Sequence, residues 1–202
     1  MSDTSVPGAA SRSGPLHVLA FAGSLRRASY NRGLLQAAAE EAPAGLIVTL
    51  YDLTALPMYN YDLEAGGFAA PVHALREAVR AADAVLIASP ENNGFMSAVA
   101  KNAVDWLSRP PEPPVAAKPA AIMGATSGRG ATARMQPRLR EFLVSARFGR
   151  VMETPVLGVA GSADRFDDAG RLTDDATRTD VRAFMAAFEQ WLRQPPAQEA
   201  AD

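Results

Sequence analysis

Apolar and polar positions alternate along this chain in two rhythms. Residues 16–22, 84–89 and 119–125 are nearly unbroken apolar runs of strand length, and 46–51 is a fourth. Between them the apolar residues are spaced for helices. The spacing predicts helices over 30–41, over 68–81 with Val72, Leu75 and Val79 on one face, over 97–107 and over 131–147. A last helix is expected over 173–193, with Val181, Phe184, Phe188, Trp191 and Leu192 on its buried side. A fifth strand falls within 151–159, where Pro155 marks its start or a bulge. Residues 52–67 read as a long irregular segment and 110–114 as a proline-rich loop.

Strands that lack polar alternation and are separated by helices make a parallel sheet covered on both faces. Five of them in one domain suit a doubly wound α/β fold of flavodoxin-like order 2-1-3-4-5, with right-handed crossovers. Ligands in such sheets bind at the carboxyl ends of the strands where the order reverses, here between the first and third. No internal repeat or dividing linker is visible, so one domain is expected over 15–193. The small, polar or proline-rich tails 1–14 and 194–202 are expected to be disordered.

Composition narrows the chemistry. The 202 residues are 48% hydrophobic and 21% charged, with a net charge of −2, so nothing global draws nucleic acid or an anionic membrane. There are no cysteines, which excludes disulfides, thiolate metal sites and cysteine nucleophiles. The two histidines, His17 and His73, fit no metal-ligand pattern and read as structural, so no metal is expected. With no signal peptide and no apolar run of spanning length, the expected location is the cytoplasm.

Candidate chemistry sits at three strand ends. After the first, Gly23 is followed by Ser24, Arg26, Ser29 and Asn31 and then by a helix. Amides at a helix start, hydroxyls and a guanidinium together suit a phosphate. After the third strand come Pro90, Glu91, Asn92, Asn93, Gly94, Phe95 and Met96, a mixture that suits the edge and faces of a flat heteroaromatic ring. After the fourth, Thr126 to Ala133 includes Gly128-Arg129-Gly130-Ala131-Thr132-Ala133, a G-x-G-x-x-A match with Glu153 about twenty residues on. The dinucleotide fingerprint normally occupies the first strand-to-helix turn, so Thr126 and Gly128 are read instead as another wall of the same pocket. The acidic stretch 164–175 is a solvated loop rather than a calcium site, since EF-hand spacing is missing. No P-loop and no G-x-S-x-G is present.

These residues resemble the NADPH-dependent FMN reductase family, which includes bacterial quinone and chromate reductases. Gly23-Ser24-Leu25-Arg26 with Ser29 and Asn31 is similar to the family's G-S-L-R-x-x-S-x-N. Pro90-Glu91-Asn92-Asn93 stands where the family has P-E-Y-N, and Lys101 to Trp106 is similar to K-N-A-[IL]-D-W. The resemblance covers roughly 16–192. It implies non-covalent FMN, its phosphate held by Ser24, Arg26, Ser29 and Asn31, and its ring lined by Pro90, Glu91, Asn92 and Asn93. It also implies an NADPH- or NADH-dependent oxidoreductase that reduces quinones, free flavin or similar small acceptors by hydride transfer through flavin N5, working as a homodimer or homotetramer. The cofactor carries the chemistry, so no catalytic acid, base or nucleophile is expected. Lys101, Asn102, Asp105 and Trp106 are read as structural.

Two departures stand out. Asn92 replaces the family's tyrosine and removes an aromatic wall. Ala131-Thr132 replaces Gly-Gly, and the branched Thr132 is expected to narrow the approach to the flavin. A flavin-binding carrier or redox sensor with little turnover is the rival that Asn92 favours. A dehydrogenase using the Gly128–Ala133 turn is a second.

Overall fold

A computed structural model describes residues 14–195; the remainder of both tails, 1–13 and 196–202, lies outside the described residues. The sheet is parallel and contains β1 (Leu16–Ala22), β2 (Leu46–Tyr51), β3 (Ala84–Ala88), β6 (Pro119–Ala125), β7 (Arg150–Val151) and β8 (Leu157–Val159). Its order is β2-β1-β3-β6-β7, with β8 also pairing β6. This is the expected order, with one refinement. The fifth strand is split in two, because the 152–156 segment with Pro155 leaves the ladder before Leu157 rejoins it.

Side chains alternate across the sheet and so build two cores. Val18, Ala20, Ala22, Leu86 and Met123 meet α1 (Tyr30–Glu40) through Leu34 and Leu35, and α6 (Asp175–Arg193) through Phe184 and Phe188. Leu19, Phe21, Val85, Ile87 and Ile122 face the other way. They meet Leu75 and Val79 of α3 (Ala70–Ala81), Val104 and Leu107 of α4 (Ala98–Leu107), and Leu139 and Leu143 of α5 (Met135–Ser145). Each of these strand positions is 5% exposed or less, apart from Ala22 at 7%, so both faces are covered, as the unbroken apolar runs require.

The irregular 52–67 segment holds a short helix, α2 (Tyr61–Ala65), and is fastened to α4. Asn102 Nδ2 and Trp106 Nε1 donate to Pro57 O at 2.9 and 2.8 Å, and Tyr59 N donates to Asn102 Oδ1 at 2.7 Å. Lys101 and Asp105 form an i,i+4 ion pair on the same helix. The Lys101–Trp106 motif is thus a docking device for a loop.

Two elements differ from the sequence expectation. α5 starts at Met135 rather than 131, because Ala131 and Thr132 have φ of +46° and +60° and cannot begin a right-handed helix. Their turn fits because Gly124 and Gly158 carry no side chain: a Cβ on Gly158 would lie 1.9 Å from Ala131 O, and one on Gly124 2.8 Å from Thr132 Oγ1. Residues 91–96 form a hairpin, β4 (Glu91–Asn92) and β5 (Phe95–Met96). Asn93 and Gly94 have φ of +53° and +76°, the pattern of a type I′ turn, for which Asn-Gly is the preferred pair.

Candidate functional site

The carboxyl ends of β1, β3 and β6 open into a cleft of about 470 Å³. Its lining includes Ser24, Arg26, Ser29 and Asn31 from the first loop, Pro90, Glu91 and Asn92 from the second, and Thr126 and Ser127 from the third. The three loops singled out in the sequence therefore meet at the switch point between β1 and β3. Asn93 and Gly128 are not in the lining. Asn93 is spent on the hairpin turn, and Gly128 lies in the exposed part of the third loop, where its N–H donates to Thr126 Oγ1. Sequence reasoning left Tyr30, Ser97, Ala98 and Val99 out of the site, yet all four line it. The available signal was Ser97, a helix N-cap placed directly after the second loop.

Two helix starts open on the cleft. Ser29 caps α1 by accepting from Arg32 N at 3.3 Å, and Ser97 caps α4 by accepting from Ala100 N at 3.1 Å. The first amides of a helix lack intrahelical partners and the helix dipole is positive there, so both ends favour negative charge. Arg26 adds a guanidinium 4.4 Å from the Tyr30 ring centroid, where it donates to Ala28 O.

Two side chains in the expected set are committed to the protein itself. Asn31 is 3% exposed, and its carboxamide pairs at both ends with the backbone of Ala125, Nδ2 to O and Oδ1 from N, each at 2.9 Å. Its side chain ties the first loop to the end of β6. Glu91 turns its carboxylate to the start of α5, accepting from Arg134 N, Met135 N and Arg134 Nε at 3.1, 3.2 and 2.8 Å. Burial works against that charge, but the bonds from Arg134 and from the α5 amides outweigh it and hold the carboxyl below the ordinary glutamate range.

Thr132 corrects an expectation. It is fully buried, faces β6 at Gly124 and accepts from Gln136 Nε2 at 2.9 Å, so it does not narrow the cleft. The Gly128–Ala133 turn is no dinucleotide fingerprint, since it follows β6 rather than the first strand, and the positive φ of Ala131 and Thr132 keeps the helix from opening within it. In the acidic stretch, Asp167 is paired with Arg171, and Asp174 caps α6 and binds Arg165. Among the described residues no three metal-ligating side chains gather, and no helix is long and apolar enough to cross a membrane.

The family model described as NADPH-dependent FMN reductase matches residues 16–164. The chain belongs to this family. It is 44% identical to an NAD(P)H-dependent FMN reductase of Pseudomonas aeruginosa over 88% of its length and 96% of that protein. It is 37% identical to an NAD(P)H:quinone oxidoreductase of Solanum tuberosum, covering 86% of this chain and 91% of the other. Among solved structures it superposes on a flavoenzyme NAD(P)H:(acceptor) oxidoreductase of Paracoccus denitrificans with a TM-score of 0.78 and 32% identity, over 88% of this chain and 97% of that one.

The residues present fit FMN. The cleft is within the size range of small-ligand sites. It has an anion-binding helix start with serine and arginine at one end, and an amide-rich hairpin beside it.

Proposed function

We infer that this chain is an FMN-dependent NAD(P)H oxidoreductase that delivers electrons to quinones, free flavin or similar small acceptors. The observation that carries the reading is the convergence of two capped helix starts, the 24–31 loop and the 91–96 hairpin on one cleft in a member of the FMN reductase family. When bound there, FMN supplies the two-electron chemistry between nicotinamide and acceptor.

The chain's own residues bind and orient. The amino end of α1, with Ser24 and Arg26, holds the phosphate. Pro90, Asn92 and Thr126 wall the ring, and the amino end of α4 favours negative charge on the reduced cofactor. Asn31 and Glu91 fix the positions of the loops that do this. We further assign residues 15–193 to one domain and take the working form to be a homodimer or homotetramer. We place it in the cytoplasm, where NAD(P)H is supplied and where a cysteine-free chain needs no oxidising compartment.

The purified protein is expected to be yellow, to release FMN on extraction, to bleach with NADPH under argon, and to regain colour on addition of a quinone. Recovery of FAD alone, or an apoprotein that does not take up FMN, refutes the assignment. Bleaching without re-oxidation by any quinone would instead support a carrier or sensor role.

A further inference from the structure

Asn92 is where the chain departs from the family's tyrosine, and the hairpin shows what stands beside it. β4 and β5 pair Asn92 with Phe95 and Glu91 with Met96. Direct cross-strand partners project from the same face of an antiparallel ladder, and successive residues from opposite faces. One face is occupied from below: Met96 is buried in the core with Met135 and Leu139 of α5, and Glu91 holds the α5 amides. The other face carries Asn92, which lines the cleft, and Phe95, which is 44% exposed. An aromatic ring therefore stands on the hairpin face that carries Asn92, next to this cleft-lining residue and outside the lining itself, across the ladder from the position where the family places its own.

A cation accompanies this ring. Arg138 on α5 reaches round the hairpin turn and donates to Gly94 O, with its guanidinium carbon 5.9 Å from the Phe95 ring centroid. The neighbouring Arg134 is neutralised by Glu91 at 2.6 Å, whereas Arg138 has no carboxylate partner among the described residues. A guanidinium over one part of a ring and open solvent over the rest is an arrangement for a second flat molecule. The aromatic surface supplies stacking, and the unneutralised charge supplies selection by sign.

We propose that Phe95 and Arg138 form the acceptor subsite of the cleft, and that this subsite selects flat aromatic acceptors bearing an anionic substituent. The inference rests on the oxidoreductase reading above and names its acceptor class. Residue 92 is then free to be asparagine, because the aromatic surface comes from residue 95 across the ladder.

The test is equilibrium binding of two redox-inert, isosteric probes to the FMN-loaded protein. Naphthalene-2-sulfonate carries the charge and naphthalene-2-sulfonamide does not. The wild type is expected to bind the sulfonate about three- to tenfold more tightly. Arg138→Gln keeps an amide that can donate to Gly94 O, and it should remove that preference. Phe95→Ala should weaken both probes by about two- to tenfold, and Phe95→Tyr should restore them. Kinetics with 1,2-naphthoquinone and its 4-sulfonate should show the same ratio in re-oxidation of the bleached enzyme.

Equal binding of the two probes by wild type, or a preference that survives Arg138→Gln, overturns the subsite. If the losses appear in bleaching by NADPH rather than in re-oxidation, the pair serves the nicotinamide nucleotide and the proposal fails. Dissociation of an oligomer by Phe95→Ala, seen by analytical ultracentrifugation, would place Phe95 in a subunit contact and also defeat it. Normal bleaching with no charge preference defeats the subsite alone, whereas absence of bleaching defeats both readings.

Discussion

Arg26 and Arg27 are adjacent and chemically identical, yet only Arg26 lines the cleft. Arg26→Ala is expected to weaken FMN binding by roughly ten- to a hundredfold, as loss of a charge-assisted bond to phosphate would, while Arg27→Ala leaves it nearly unchanged. Fluorescence titration of the apoprotein measures both; equal losses would mean that only general positive charge matters. Asn31 shows where residue-level reading stops. Its place beside a phosphate loop was legible, and its task was not. The carboxamide is taken up by the backbone of Ala125, 94 positions away, a pairing that only the finished sheet creates. Asn31→Ala leaves that buried backbone N–H and C=O without their partner, at a cost of about 1–3 kcal/mol each at most. Urea denaturation should show the loss even in apoprotein. A loss seen only with FMN bound would return Asn31 to the role of a direct ligand.

At the level of elements, unbroken apolar runs identified β1, β3 and β6, because strands covered on both faces have no polar side to alternate with. The start of α5 was misplaced by four residues, since its apolar spacing says nothing of the left-handed turn at Ala131 and Thr132 that Gly124 and Gly158 accommodate. The hairpin was overlooked although Asn93-Gly94 announces it; its strands are two residues each, too short for any periodicity to register. Glu91 then links hairpin to helix, since its carboxylate does the capping that Arg134, at the N-cap of α5, does not. Glu91→Gln keeps an acceptor oxygen and loses the charge. A fall in stability of about 1–2 kcal/mol is expected, with a several-fold rise in acceptor KM. Thermal melts and quinone kinetics on the same samples check both, and unchanged values in each would show that the link is idle.

For the molecule as a whole, carboxylates act as fasteners between elements. Asp174 caps α6 through the Thr177 hydroxyl and amide and binds Arg165, and these bonds hold its pKa below the ordinary aspartate range. Glu41, at the end of α1, is held down in the same way by Arg182 and Arg178 of α6. A folded-state pKa below the unfolded one gives stability that is complete above the ordinary carboxylate range, about pH 4, and is lost as pH falls through the depressed values. Melting temperature should therefore be level near neutrality and fall on the acid side. The gap between wild type and Asp174→Asn should close as the pH falls through the depressed value of Asp174. A gap of constant size would show that the cap works by shape rather than by charge.

The walls of the cleft are tied down by bonds among the chain's own atoms. Asn31 fastens the first loop to β6, Glu91 and Arg138 fasten the hairpin to α5, and Ser162 Oγ donates to Thr126 O in the third loop at 2.9 Å. None of these fasteners needs a ligand to form. The flavin-free chain is accordingly expected to hold these loops in place, so that the cofactor enters a cleft already shaped for it. Trypsin should cut the stripped and the flavin-loaded protein at nearly the same rate after Arg26 and Arg27 in the first loop and after Arg129 in the third. Much faster cutting of the stripped form would mean that the cofactor itself completes the fold.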